Sequence, residues 1–181
     1  MPSLTYEELL NYSPIPTEIF VETGTFGGDT VYNMLNYFHK IYSIELSHEL
    51  ADRAKSKFSG CQHVSIIQGD SSVVLEDICK NIDKPTFFWL DGHFSHCGTA
   101  QGEKDVPLLE ELTNIVNHLK SECIVAIDDV RMFGTNINED WRDITKENVL
   151  KIVNERLISC NYFPSIECAE DRMILHLKSK I

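Results

Sequence analysis

Five short apolar runs, each closed by a carboxylate, constrain this chain more than any other feature. Ile19-Phe20-Val21 ends on Glu22, Ile41-Tyr42-Ser43-Ile44 on Glu45, and Val64-Ser65-Ile66-Ile67 on Gly69-Asp70. Thr86-Phe87-Phe88-Trp89-Leu90 ends on Asp91, and the run from Cys123 to Ile127 on Asp128-Asp129. The fourth run is apolar at almost every position, as a strand covered on both faces must be. Between the runs, apolar residues recur at helical spacing: Val31, Met34, Leu35 and Phe38; Leu50, Ala54 and Phe58; Val74, Leu75, Ile78 and Ile82; Leu108, Leu112, Val116 and Leu119. Ser47 stands where the second of these helices needs a cap, and Asp105 is expected to cap the fourth, with Pro107 in its first turn.

After a further helix through Val149, Ile152, Val153 and Leu157, the stretches 162–168 and 173–177 flank the turn Ala169-Glu170-Asp171 and predict an antiparallel hairpin. Strand–helix alternation ending in a hairpin predicts an α/β sandwich: a mostly parallel seven-stranded sheet with a C-terminal antiparallel hairpin and helices on both faces. A chain of 181 residues suits one domain. Residues 19–181 are expected to form it. Residues 1–18, with Tyr6, Leu9, Leu10 and Tyr12 ahead of Pro14 and Pro16, predict a short helical lead-in packed on it.

Charge and composition narrow the function classes. A formal charge of -12 argues against a nucleic-acid partner held by phosphate contacts, and Lys40, Lys55 and Lys57 form no dense run. No apolar run approaches the roughly eighteen residues of a membrane span. The segment from Met1 to Asn11 carries Glu7 and Glu8 and reads as no secretory leader. The cysteines Cys61, Cys79, Cys97, Cys123, Cys160 and Cys168 include no C-x-x-C pair and read as thiols in a reducing compartment, so a cytoplasmic location is expected.

The acids carry the functional reading. In a parallel sheet all strands point one way, so Glu22, Glu45, Asp70, Asp91 and Asp128 are expected on one rim, where open sheets of this class bind ligands. Gly24-Thr25-Phe26-Gly27-Gly28 follows the first strand, and such glycines let backbone approach a ligand; the spacing is not the full dinucleotide fingerprint. Glu45 stands where an acid accepts from two ribose hydroxyls. Asp70 is placed to accept from an adenine amino group, with Ser71 either assisting or capping the next helix.

Glu22-Thr23-Gly24-Thr25-Phe26-Gly27-Gly28, Glu45, Gly69-Asp70 and the late hairpin together resemble the class I S-adenosylmethionine-dependent methyltransferases. That resemblance spans about Ile19 to Lys178 and implies a Rossmann-like methyltransferase sandwich. By it, Glu22, Thr23, Gly24, Thr25, Phe26, Gly27 and Asp91 would surround the methionine end of S-adenosylmethionine. Glu45 and Leu46 would hold its ribose, and Gly69, Asp70 and Ser71 its adenine. Thr25-Phe26 departs from the smaller residues of many members. More narrowly, Asp91-Gly92-His93 with Asp128-Asp129 resembles the macrocin-type sugar O-methyltransferases. This implies a divalent metal, magnesium or manganese, on Asp91, Asp128 and Asp129, with His93 as base, and a sugar or glycan hydroxyl as acceptor.

The chemistry behind that expectation is simple. An aliphatic hydroxyl is weakly acidic, and a hard cation on carboxylate oxygens both polarises it and relieves the mutual repulsion of clustered acids. A neutral imidazole at His93 can take the proton, with His96 the second candidate; zinc fits the His93, His96, Cys97 and Asp91 set poorly. The irregular stretches 92–105 and 130–143 have the length of an acceptor pocket or lid, and Phe94, Phe133 and Trp141 are either stacking faces or anchors. Arg131 reads first as a salt-bridge partner of the acidic pair. Three other readings stay open: a metal-independent small-molecule methyltransferase, a nicotinamide-dependent oxidoreductase, and a non-catalytic nucleoside-cofactor-binding protein. The sequence leaves the oligomeric state open, and allows the chain to be one domain of a larger enzyme.

Overall fold

The computed structural model describes residues 3–94, 100–137 and 139–180. A seven-stranded sheet runs through the molecule in the order β3-β2-β1-β4-β5-β7-β6. Its strands are β1 (Ile19–Thr23), β2 (Lys40–Glu45), β3 (Val64–Gln68), β4 (Thr86–Leu90), β5 (Cys123–Ile127), β6 (Leu157–Phe163) and β7 (Arg172–Leu177). The first five pair in parallel, and β7 inserts antiparallel between β5 and β6. The helices are α1 (Tyr6–Tyr12), α2 (Asp29–Met34), α3 (His48–Lys57), α4 (Ser71–Asn81), α5 (Leu108–His118) and α6 (Lys146–Val153).

Alternation along the strands divides the core in two. Val21, Phe88, Leu90, Cys123, Val125 and Ile127 face one apolar layer with Leu75, Leu112, Ile115 and Val149 from α4, α5 and α6. Phe20, Phe87, Trp89, Ile124 and Ala126 face the other, with Leu9, Tyr12, Val31, Met34 and Ala54 from α1, α2 and α3. Ser47 caps α3 by accepting from the Leu50 amide, and Thr5 and Glu8 form a reciprocal capping box on α1.

Two expected boundaries move. Leu157 opens β6 and does not belong to the preceding helix, and β6 runs from Leu157 to Phe163 in place of the expected 162–168, because Pro164 has no amide hydrogen to extend the ladder. The helix carrying Leu108 opens without an Asp105 cap. Pro107 is its N-cap residue, its carbonyl accepting from the Glu111 amide, while the Asp105 carboxylate accepts from Gln101 Nε2 and the Asp140 amide.

The C-terminal end of α5 is closed from a distance. Arg156, 4% exposed, donates to the carbonyls of Ile115, Val116, Leu119, Ser121 and Lys178. A buried cation at a helix C-terminus satisfies carbonyls that have no partner within the helix.

Candidate functional site

The parallel register brings the carboxyl ends of β1 to β5 to one edge, and a cavity of about 280 Å³ opens there over the ends of β1, β2, β3 and β4. It is lined by Gly24, Phe26, Ile44, Glu45, Leu46, Gly69, Asp70, Ser71, Ser72, Asp91, Gly92, His93, Phe94, Ala100, Gly102, Glu103, Lys104, Asp105, Pro107 and Glu110. The stretch 100–107 therefore supplies a wall of the cavity. His96, Cys97 and Gly98 lie outside the described residues.

Of the sequence-derived candidates, Gly24, Phe26, Glu45, Leu46, Gly69, Asp70, Ser71, Asp91 and His93 line this cavity, and Glu22, Thr23, Thr25 and Gly27 do not. Gly24 has φ +85°, and a Cβ there would stand 2.6 Å from the Asp91 carbonyl oxygen, so the exits of β1 and β4 meet at a seam only glycine permits. Phe26 takes φ +45°, an unusual angle for an aromatic residue; its amide donates to Glu45 Oε2 at 2.8 Å. Glu45 Oε1 accepts from the Ser47 amide at 2.9 Å. One donor per oxygen leaves acceptor capacity on the Glu45 carboxylate for hydroxyl groups in the cavity.

Asp70 caps α4, its Oδ1 accepting from the Ser72 amide at 2.9 Å and hydroxyl at 2.6 Å, and it also lines the cavity. Glu22 lies within β1, fully covered, accepting from Ser43 Oγ at 2.6 Å. Ser43 in turn shares a 2.6 Å hydrogen bond with Thr25 Oγ1. Burial pushes the Glu22 carboxyl up to about 8, and the Ser43 and Thr30 hydroxyls counter only part of that.

At the β4 and β5 exits, Asp91, His93 and Asp129 offer one ligand atom each within 4.8 Å of one another. His93 Nδ1 is 3.7 Å from Asp91 Oδ1, and His93 Nε2 is 3.5 Å from Asp129 Oδ2. Burial holds the imidazole below its ordinary value, against the raising influence of Asp129, so it is neutral near pH 7. Burial and then the neighbouring Asp128 and Asp129 charges push the Asp91 carboxyl well above the usual carboxylate range.

Asp128 belongs to a different grouping. With Asp129 and Asp171 it forms a second acidic cluster, but this one already holds protein cations. Arg131 Nη1 bridges Asp129 Oδ1, at 2.5 Å, and Asp171 Oδ2, while Arg172 Nε lies 3.4 Å from Asp128 Oδ1. Asp129 has φ +60°, which carries its side chain away from the course of Asp128 and toward His93. Trp141 is a buried anchor: its Nε1 donates to Glu139 and its ring packs on Phe133 and His93.

Sequence reasoning passed over two residues. Arg172 lies in the hairpin, far along the chain from any site motif. Glu111 lies on the buried face of α5 and is 1% exposed. Its signal was present, since position 111 falls on the stripe of Leu108, Leu112 and Ile115 that should carry only apolar residues. Burial pushes the Glu111 carboxyl up to about 7.

No family model matches the chain, and no curated protein matches it. Solved structures do. A Streptococcus mutans protein in complex with SAH aligns over 98% of this chain and 99% of its own, with a TM-score of 0.64 at 13% identity. The N-methyltransferase NodS from Bradyrhizobium japonicum aligns over 97% and 94%, with a TM-score of 0.60 at 13% identity. The fold is that of the class I S-adenosylmethionine-dependent methyltransferases. Spermidine synthase from Thermotoga maritima shares this methyltransferase fold as well, over 92% of this chain and 55% of its own, with a TM-score of 0.55 at 12% identity. The fold therefore leaves the transferred group and the acceptor atom to be argued from the site. Among the described residues, no helix is long and apolar enough to cross a membrane.

Proposed function

We propose that this chain binds S-adenosylmethionine in the 280 Å³ cavity and transfers its methyl group to a small acceptor, with a sugar or glycan hydroxyl first. The observation that carries the reading is the cavity itself: the Gly24–Asp91 seam, the Glu45 carboxylate and Asp70 line one space at the carboxyl ends of adjacent parallel strands. In this reading Glu45 accepts from the ribose hydroxyls, Asp70 and Ser71 face the adenine, and Gly24 lets backbone close on the methionine end. S-Adenosylmethionine supplies an electrophilic methyl on a good leaving group. The residues of the chain then have two tasks, alignment of the acceptor and removal of its proton.

The second task falls to the rim of β4 and β5. Neutral His93 stands between two carboxylates and accepts the acceptor proton, and the charge it gains is stabilised by Asp91 and Asp129 on either side. The donor set of two carboxylates and an imidazole also fits magnesium or manganese, and Asp91 Oδ1 is a buried acceptor with no protein partner. Where Asp91, Asp129 and His93 hold such an ion, the ion would lower the acidity barrier of the hydroxyl in place of His93 acting as base, because the imidazole lone pair would then be engaged. Asp128, engaged by Arg172, supports this set from behind. The excess of acids disfavours a nucleic-acid acceptor.

Calorimetric titration with S-adenosylhomocysteine, with and without magnesium or manganese, tests the reading. Saturable binding of the nucleoside, and a metal effect lost in Asp129→Asn, are the expected results. Binding of neither would end it.

A further inference from the structure

Asp105 lies in the stretch that leads from the cavity wall into α5, and three segments meet on it. Its carbonyl oxygen accepts from the Phe94 amide at 2.8 Å, beyond the exit of β4. Its Oδ1 accepts from Gln101 Nε2 at 2.8 Å, and its Oδ2 from the Asp140 amide at 3.1 Å. Every acceptor atom of the residue is thus engaged, each by a different segment. The wall needs such ties. Glu103, Lys104, Asp105 and Glu110 line both the cavity of about 280 Å³ and a second one of about 270 Å³. A wall with open space on either side is held less by packing than by bonds. The Lys104–Glu110 pair is another tie, but the lysine is 63% exposed and solvent screens the attraction. Asp140 is the firmer anchor, because it adjoins Trp141, which is 2% exposed and packs its ring on His93.

The structure assigns Asp105 the role of a positioning residue: it fastens the wall 100–105 to the segment of Trp141 and so holds Gly102 over the nucleoside half of the cavity. A Cβ on Gly102 would stand 3.4 Å from Asp70 Oδ2 and 3.4 Å from Leu46 Cδ2, at ordinary contact distance. Gly102 therefore closes on Asp70, which faces the adenine in the function proposed above. The same tie joins the two halves of the site, since the Trp141 ring behind it also packs on His93 at the acceptor rim. The effect on ligands rests on that proposed function; the tie between the two stretches does not.

Two measurements separate the tie from its effect. Amide hydrogen exchange on the full chain should find the Asp140 amide protected, and Asp105→Ala should release it. The Trp141 amide, which donates to the Thr135 carbonyl at 3.0 Å, should stay protected in both. An Asp140 amide that exchanges as freely in the parent as in the variant overturns the tie. In titrations with S-adenosylhomocysteine, Asp105→Ala should weaken binding about tenfold, and Asp105→Asn, which keeps one acceptor oxygen, about threefold. The urea midpoint should hardly move, because both side-chain bonds lie at the surface. Unchanged affinity in both variants overturns the positioning role, and so does a loss of affinity that comes with a large fall in the midpoint. Gly102→Leu should weaken binding at least as much while the Asp140 amide stays protected; full affinity there overturns the placement of the wall over the nucleoside. If Asp105→Ala does not fold, Gln101→Ala removes a single donor and should weaken binding about threefold, and unchanged binding again overturns the role. Absence of binding in the parent itself counts against the proposed function, and hydrogen exchange then decides the tie alone.

Discussion

Arg172 reaches the Asp128 carboxylate through Nε at 3.4 Å and, through Nη1, donates to Glu8 at 2.5 Å and to the Tyr12 hydroxyl at 2.7 Å. Its guanidinium also lies over the Trp89 ring, 5.2 Å from the centroid. A strand at the far end of the chain thus ties the lead-in helix α1 to the rim of the site. Arg172→Met should destabilise the fold by about 3–5 kcal/mol, because it strands a buried carboxylate without its cation. Urea denaturation measures this; a loss under about 1 kcal/mol would show that the pair carries little.

The engagement of Asp128 by Arg172, outside the set of Asp91, His93 and Asp129, makes a second prediction. Asp129→Asn and Asp91→Asn should each weaken manganese binding tenfold or more, whereas Asp128→Asn should leave it within a few-fold of the parent. Electron paramagnetic titration of free manganese distinguishes the three. Asp128→Asn as the most damaging change would restore the ligand set that the sequence favoured.

Glu22 sets a pH dependence. Its carboxyl rises from 4.5 to about 8 on folding, and that of Glu111 to about 7. A raised folded-state value means that the native chain keeps a proton the unfolded chain has released. Stability is therefore greatest near the unfolded value and falls as pH climbs from about 4.5 toward 8. Glu22 alone contributes a loss of about 3 kcal/mol between pH 4.5 and 7. Glu22→Gln should remove about half of the slope that the two groups set and surpass the parent at pH 8 in urea midpoint; a slope as steep as before would assign it to another group.

Arg156 offers a test of the fold apart from the site. Arg156→Met leaves the carbonyls at the end of α5 without their shared donor and should cost about 3 kcal/mol or more. Hydrogen exchange should show the last turn of α5 and the start of β6 opening together. Protection unchanged in both would mean that solvent replaces the cation freely.

The sheet was legible because each strand of its buried centre is an unbroken apolar run, and because one carboxylate follows each run. Asp91 and Asp128, one residue past β4 and β5, could be placed on a common edge from strand direction alone. What spacing could not show is where a carboxylate turns once it arrives. Glu22 is covered within β1, Asp70 spends one oxygen on the α4 cap, and Asp128 turns to an arginine on β7. The choices of Glu22 and Asp128 depend on partners tens of residues away. The β6 boundary was missed for a related reason: Leu157–Phe163 is half-buried at the sheet edge, so its alternation is weak, and Pro164 rather than periodicity ends it.

The insertion of β7 between β5 and β6 has a consequence for the order of assembly. The parallel strands can associate as the chain lengthens, but Asp128 waits for a counter-ion that sits 44 positions further on, and Glu8 for the same group 164 positions away. Contacts of such separation form late. The acidic rim is therefore the last part of the molecule to become electrostatically complete, and a nascent or clipped chain lacking the final hairpin would present bare, mutually repelling carboxylates where the finished protein has them paired with arginines.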